Sequence, residues 1–466
     1  MEHDTRQLIP HFNPGVYLQN IMSKTYLIYP KGIYDQGRIL LPNIAGFVFS
    51  LVDGQKTLLE ITEICSKVLS AEPDMLYPKI QSLFLSFEDF ISTNYVINKD
   101  EQSFDLHTRS ENVDSATKDE ITRPDYPNEI AFLVTRKCHF KCKYCYMGDS
   151  INNETVLALP VWERVIEESC RNACRRVFIS GGEPFLVPEI FDYIGIASTN
   201  KMSVGVSTKL GLSEIDIKKL IAVGLDTLQV SLDAATPTLN DFLTGQVGSF
   251  DGMLKTITYA KEAGQNIHCR TVLTKYNICE IPRLIELLEK LHVNEIRINH
   301  YAASCGRLDR DLIPNSEDID ELDEWMKKNS DSYSIKIKYN FGRSHFTGKS
   351  PHYFSLTRAK CGGMRDAVVI REDGNIMFCN LLANDDRFII GNVYDDTVKD
   401  VWNSEKAYSF LRPCRETFHN TPCYMCQRFE PCVSKRCYMR SVIRYGTPYE
   451  RDPWCPYGDY CSEMII

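Results

Sequence analysis

Three thiols within eight residues are the first feature of this chain that could do chemistry. Cys138, Cys142 and Cys145 are separated by three and two residues, and Tyr144 directly precedes the last. A loop this short turns three sulfurs toward one point, and thiolates are soft ligands suited to iron–sulfur clusters or zinc. Four local cysteines would close such a site, but the next one, Cys170, comes 25 residues on. A metal centre with three protein ligands keeps one position open for something that reacts. A structural zinc loop or a set of buried thiols is the unreactive alternative.

A second patch is Ser180-Gly181-Gly182-Glu183-Pro184. A glycine pair lets a backbone come close to a ligand, and the glutamate adds an acceptor for an ammonium group; a tight strand-to-helix turn is the plainer reading. A third lies near the C-terminus, where nine of the eighteen cysteines fall between Cys361 and Cys461. Cys423 and Cys426 alone would suit a zinc ribbon. The start, Met1-Glu2-His3-Asp4, has no basic region followed by an apolar one. The cysteines therefore read as thiols kept reduced for metal in the cytoplasm, not as disulfides of an exported chain.

The elements that must position these residues follow from periodicity. From Glu129 onward strand-like and helix-like segments alternate: Ile130–Val134, a helix over Val161–Ala173, Val177–Ile179, a helix near Pro188–Ile196, then Val204–Val206. A helix capped by Ser213 comes next, then Leu228–Val230, Phe250–Gly264, His268–Leu273, Glu280–Leu291 and Ile296–Ile298. Six strand–helix repeats imply a parallel, barrel-like sheet. Active sites in such sheets sit at the C-terminal strand ends, where the cysteine loop leaves the first strand and Ser180–Pro184 leaves the second.

The N-terminal hundred residues read differently. Tyr26–Tyr29 and Gly37–Leu41 suggest paired strands, and Asn43 an N-cap for a helix that stops at Asp53-Gly54. Thr57 opens a second helix, a third starts near Asp74, and Asn94–Ile97 closes the module as a strand. These are the parts of a winged helix. Its helices present no row of Arg or Lys, and the net charge is −9, so nucleic acid is not the expected partner. Residues 99–125 are polar and aperiodic and read as a flexible linker with a span of roughly 30 Å. At 466 residues the chain should hold about three domains. No apolar run reaches the ~18 residues that cross a bilayer.

The CxxxCxxC motif with Tyr144 resembles the signature of the radical S-adenosylmethionine (SAM) enzymes. In that family the three cysteines hold a [4Fe–4S] cluster, SAM chelates the fourth iron, and one electron cleaves SAM to a 5′-deoxyadenosyl radical. By position Gly181, Gly182 and Glu183 match the family's GGE motif, which holds SAM's amino group. Ser207 and Thr208, and Ser231 and Asp233, match the ribose and carboxylate contacts. The family's Thr-Asn-Gly is here Thr208-Lys209-Leu210. Arg270 and Asn299 are further cofactor-contact candidates, each otherwise a satisfied interior polar group.

Cys361, Cys379, Cys423, Cys426, Cys432, Cys437 and Cys455 resemble the SPASM extension, which binds two auxiliary clusters. The resemblance implies that Cys423, Cys426, Cys432 and Cys455 ligate one cluster. Cys361, Cys379 and Cys437 would hold the other, whose fourth position is open or filled by Cys305, Cys414 or Cys461. Between Cys432 and Cys437 four residues stand where the family has three.

The N-terminal module, with Leu51–Thr57, resembles the recognition elements of ribosomally made peptide maturases, which dock a leader as an added strand on a sheet edge. Here that edge is placed near Gly37–Leu41 and the face carrying Lys79 and Leu83. The implied fold is α/β: a partial (β/α)6 radical SAM barrel (126–345) with an N-terminal winged-helix peptide-binding domain (1–98) and a C-terminal cysteine-rich SPASM domain (346–466). The implied function is thioether crosslinking of a precursor peptide. Its cofactors would be SAM and three [4Fe–4S] clusters, with a flavodoxin or ferredoxin as electron donor and no membrane partner. Carbon–carbon crosslinking, formylglycine formation and a non-catalytic peptide or DNA binder are the alternatives.

Overall fold

The structure is a computed structural model. It describes residues 5–13, 16–21, 24–28, 38–95, 109–110, 124–148, 154–174, 176–301, 304, 309–339, 362–427, 429–433, 437–452 and 455. The chain forms two compact units, one of residues 1–128 with two short later segments, and one of the remainder up to residue 466.

The first unit contains strands β1 (Leu8–Phe12), β2 (Tyr17–Ile21), β3 (Lys24–Ile28) and β4 (Arg38–Leu40). Helices α1 (Asn43–Phe49), α2 (Leu58–Leu69) and α3 (Pro73–Leu85) follow, then β5 (Ile91–Tyr95) and β6 (Arg109–Ser110). Strand β1 pairs antiparallel with β5, and the other four form a sheet in the order β4-β3-β2-β6. The sequence signals hold where chemistry is local. Thr57 caps α2 in a reciprocal box with Glu60, satisfying two end-of-helix donors. Asn43, expected as a cap, is instead the first residue of α1; Pro42 precedes it and no side chain caps that end. The helix also ends earlier than expected, at Phe49. The closing strand starts at Ile91, before the expected Asn94. Tyr29, Gly37, Val96 and Ile97 lie outside the described residues. Strand β6 falls inside the stretch read as linker and pairs in parallel with β2. Strands β1 and β2 had no period long enough to read. The core is apolar: Leu18, Leu27, Val48, Ile61, Ile80 and Phe84 are buried around Phe49, whose ring meets Phe84 and Phe87 edge-on at 5.4 and 5.0 Å.

The second unit alternates strand and helix: β7 (Glu129–Leu133), α4 (Leu159–Arg171), β8 (Arg176–Ser180), α5 (Ile190–Thr199), β9 (Ser203–Thr208), α6 (Glu214–Ala222) and β10 (Thr227–Ser231). It continues with α7 (Pro237–Thr244), α8 (Ser249–Glu262), β11 (Asn266–Leu273), α9 (Ile281–Lys290), β12 (Glu295–His300), α10 (Ser316–Asn329) and β13 (Lys336–Tyr339). Then come β14 (Ala367–Arg371), β15 (Asn375–Met377) and β16 (Ile389–Asn392). All ten strands form one sheet, ordered β13-β12-β11-β10-β9-β8-β7-β14-β15-β16. Strands β9 to β13 pair in parallel, and β14 lies parallel to β7. This is the mostly parallel α/β sheet expected from the repeats. The cysteine-rich C-terminal region is stitched to it, because β14 continues the sheet beside the strand that precedes the cysteine loop.

Burial alternates along β8 and β11 and is nearly continuous along β9, β10 and β14. In β11, Ile267, Cys269, Thr271 and Leu273 are buried toward the helices, while His268, Arg270 and Val272 alternate onto the inner face. Trp162 stacks on Tyr193 at 4.7 Å and meets the Phe132 ring at a tilt, 4.3 Å away, fixing α4 and α5 against β7. Glu168, near the end of α4, accepts hydrogen bonds from Val398 N and Lys399 N, at 3.2 and 2.9 Å, at the start of the helix Val398–Trp402.

Candidate active site

The loop carrying Cys138, Cys142 and Cys145 emerges from the C-terminal end of β7 and is held from three sides. Lys141 N and Lys143 N donate to Thr244 O and Leu243 O at the end of α7, at 3.0 and 2.9 Å. The next residue, Gly245, has φ +67°, and a Cβ there would lie 2.7 Å from Lys141 O. Only glycine permits both that turn and that approach. On the second side, Gly182 N donates to Thr135 O and Glu183 N to Lys137 O, at 2.7 and 2.9 Å. A Cβ on Gly181 or Gly182 would strike those same carbonyls, at 2.5 and 2.3 Å. The glycine pair expected to approach a ligand thus serves to lay the second strand end against the root of the cysteine loop.

The third side comes from the C-terminal region. Arg136 is ion-paired to buried Glu372, and donates from Nη1 to Asn384 Oδ1 at 3.0 Å and from Nη2 to Ala383 O at 3.3 Å. Asn384 Nδ2 donates to Met147 O at 2.9 Å. One asparagine therefore pins the chain both before Cys138 and after Cys145. Ser304 Oγ donates to Tyr146 O at 2.7 Å.

Inside this frame Glu183 is 2% exposed and accepts from Thr208 Oγ1 at 2.8 Å, Lys209 N at 2.9 Å and Phe185 N at 3.3 Å. Burial raises its carboxyl to about 7, against the lowering effect of those donors. Asp233, 1% exposed, accepts from the Tyr144 hydroxyl and, at 3.0 Å, from Val272 N, and lies 3.4 Å from Lys209 Nζ. Its carboxylate faces these groups, a use that its expected place among cofactor contacts did not anticipate. Burial alone would lower the Lys209 ammonium, but Asp233 with Cys142 and Glu183 holds it above its ordinary value. Lys209 also lies 5.4 Å from the Tyr144 ring centre. The departure at Thr208-Lys209-Leu210 thus has a structural use: the lysine neutralises Asp233. Ser207 Oγ donates to Ser180 Oγ at 3.0 Å, and Ser231 ends β10. Arg270 and Asn299 lie on the inner faces of β11 and β12.

The three thiols feel one another electrostatically, and Cys138 feels Glu183 as well. Burial pushes Cys138 up to about 11 and Cys142 up to about 12. Thiols so raised need a strong local positive charge to become thiolates, which bound iron supplies. Among the described residues, no three Cys, His, Asp or Glu side chains are gathered as for a single ion; a cluster, taking one thiolate per iron, asks for a wider spread. The donor set fits an iron–sulfur cluster.

In the C-terminal array Cys361 lies outside the described residues, as do Cys305 and Cys461. Every described cysteine is a free thiol. Cys379 follows β15 and precedes a short helical turn at Asn380–Leu382. Arg415 Nη1 holds the Cys423–Cys426 turn through Tyr424 O and Cys426 O at 2.9 and 3.1 Å, and Cys423 packs against the cluster of Phe418, Phe429 and Val433. Cys432 lies in the helix Phe429–Val433. Cys437 N and Cys455 N donate to the carboxylate and the carbonyl of Asp452, at 3.5 and 2.8 Å, and Arg440 pairs with that carboxylate. Cys437 and Cys455, expected on different clusters, thus share one anchoring residue. Cys414 is exposed.

Residues 132–288 match the model of the radical SAM superfamily, and residues 361–428 match the SPASM iron–sulfur cluster-binding domain. The chain is a radical SAM enzyme with a SPASM domain. SAM and iron–sulfur clusters are accordingly its cofactors. It is 23% identical to the AdoMet-dependent heme synthase of Methanosarcina barkeri, over 72% of this chain and 98% of that one. It is 22% identical to the PqqA peptide cyclase of Gluconobacter oxydans, over 74% and 96%. The radical SAM/SPASM fold is shared with Streptococcus suis SuiB bound to its precursor peptide SuiA, at TM-score 0.67 and 17% identity, covering 96% of this chain and 100% of that one. No helix among the described residues is long and apolar enough to cross a membrane.

Sequence reasoning missed Arg136, Asn384, Lys209 and Gly245 as parts of the site. Lys209 stood only as a departure from the family's Thr-Asn-Gly, and Arg136, Asn384 and Gly245 stand in no motif. Glu183 gives a direct test of the site's electrostatics. The folded chain keeps its proton up to about 7, while the unfolded chain loses it near 4.5, so stability falls as pH rises through that window. Glu183→Gln is expected to flatten this part of the curve, measured by thermal melts of cluster-free protein between about pH 5 and pH 8. An unchanged slope would remove Glu183 from this account.

Proposed function

We propose that this radical SAM/SPASM enzyme matures a ribosomally made peptide by joining a cysteine sulfur to a carbon of the same chain. The observation that carries the reading is the likeness, over 96% of the chain, to a structure of SuiB bound to its precursor peptide, which leaves room for a counterpart of the N-terminal unit. Cys138, Cys142 and Cys145 would hold a [4Fe–4S] cluster, which with SAM bound would supply the chemistry of a 5′-deoxyadenosyl radical.

The chain's own residues provide the frame. Glu183 accepts SAM's ammonium once ionised, and Thr208 and the Lys209 amide hold its carboxyl in place. Ser207 and Ser231, at strand ends, face the rest of the cofactor. Tyr144 donates a hydrogen bond to Asp233, and Lys209 balances its charge behind the loop. Cys379, Cys423, Cys426, Cys432, Cys437 and Cys455, with Cys361, hold two further clusters, for three in all. In the N-terminal unit, the edge strand β4 and the face of α3 carrying Lys79 receive the leader by strand addition. A small reduced flavoprotein or ferredoxin in the cytoplasm delivers the electron.

The test is anaerobic incubation of the reduced, reconstituted enzyme and SAM with cysteine-containing candidate precursor peptides. The expected product has lost a pair of hydrogens per crosslink, no longer reacts with iodoacetamide at the joined cysteines, and appears with 5′-deoxyadenosine. A product that is lighter yet fully alkylated would replace the thioether with a carbon–carbon bond. The named relative that is a peptide cyclase keeps this second reading in play. Absence of 5′-deoxyadenosine would defeat both.

A further inference from the structure

The parallel register sets three cations side by side on neighbouring strands. Arg270 of β11 lies opposite Arg297 of β12, and Arg297 opposite Lys338 of β13. Adjacent strands are roughly 4.8 Å apart, so like charges at one level repel unless acids separate them. Glu295, one layer along β12, does this for two of the three. It lies 3.1 Å from Arg297 Nη2 and 2.9 Å from Lys338 Nζ.

Arg270 receives no such partner. Its Nε is shut off from solvent without a hydrogen bond. Glu129 and Glu295 reach it only as distant charges, while Arg297 repels it and the Tyr146 hydroxyl lies nearby. A partly buried guanidinium on an inner wall, its Nε closed off with an unused donor and a surplus of positive charge beside it, is arranged to receive an anion. A carboxylate matches its planar fork. SAM does not meet this need in charge, because its sulfonium and ammonium outweigh its single carboxylate and leave the chamber more positive still.

We infer that Arg270, flanked by Arg297 and Lys338, is a receptor for an aspartate or glutamate side chain of the substrate peptide, holding that residue inside the barrel near the reacting centre. This rests on the peptide-maturation reading proposed above, and it replaces the cofactor contact expected for Arg270 from the sequence.

The experiment uses reconstituted holoenzyme with SAM and two probes, N-acetyl-Ala-Glu-Ala-amide and its glutamine counterpart, with binding read by saturation-transfer NMR titration. The acid is expected to bind about ten-fold or more tighter than the amide, as a charge-assisted hydrogen bond provides. Arg270→Gln should abolish that preference and Arg270→Lys keep part of it, with SAM affinity changed by no more than about two-fold. Equal binding of the two probes by the wild-type enzyme, a comparison that needs no variant, would overturn the inference. So would an Arg270→Gln enzyme whose SAM affinity collapses while the probes are unaffected, since the cofactor's carboxylate would then occupy the place. Formation of 5′-deoxyadenosine, followed in the same samples, reports separately on the radical SAM reading.

Discussion

Cys142→Ser is expected to abolish SAM cleavage, lowering 5′-deoxyadenosine formation by about a thousand-fold or more. Cys142 is the most enclosed of the three loop thiols, 6% exposed, and Lys209 and Asp233 both act on it. A serine oxygen is a hard, weakly acidic ligand, and at a site that raises even a thiol to about 12 it would stay protonated. The cluster should therefore be lost from this loop while the C-terminal array keeps its own. Iron analysis should show a drop of about four per chain, with the remaining visible absorbance intact. Retained SAM cleavage with full iron would show that this loop is not the radical-generating centre.

Arg136→Leu should destabilise the second unit by about 3–5 kcal/mol, the usual cost of stripping one partner from a buried ion pair. The Arg136 side chain is 10% exposed and that of Glu372 1%, so the remaining carboxylate would have neither water nor countercharge. One oxygen of Glu372 already lacks a hydrogen-bond partner, which leaves little capacity to absorb the loss. The variant also frees Asn384 from one end of the cysteine loop. Urea denaturation of cluster-free protein measures the cost. The double variant Arg136→Leu with Glu372→Leu should recover most of it, because two apolar side chains replace the pair without stranding a charge. A single variant that costs under about 1 kcal/mol would mean that solvent reaches the pair.

How much of this was readable in the sequence depends on the range of each interaction. Thr57 and Ser213 both cap helices in reciprocal boxes, with Glu60 and Asp216 three residues on, and such contacts are legible because their partners are neighbours. Asn43 carried the same signal but lost its cap to Pro42, whose fixed geometry already starts the turn. The strand–helix rhythm from Glu129 onward gave the parallel sheet, since burial on both faces leaves continuous apolar runs. The spacing of Cys138, Cys142 and Cys145 gave a three-ligand site with an open position.

The amino-acid sequence alone therefore determined the chemistry on offer: three soft ligands in one loop, a second cysteine array, and a sheet whose strand ends would carry them. Only the tertiary structure decided what surrounds that loop. Arg136 and Asn384 are 248 residues apart, and their hydrogen bond exists because β14 lies beside β7. Arg270, Arg297 and Lys338 form a row because three strands share one register. Charge at such distances leaves no period in the chain; it is set by which strands become neighbours, and the energy of that choice is spread over the whole sheet.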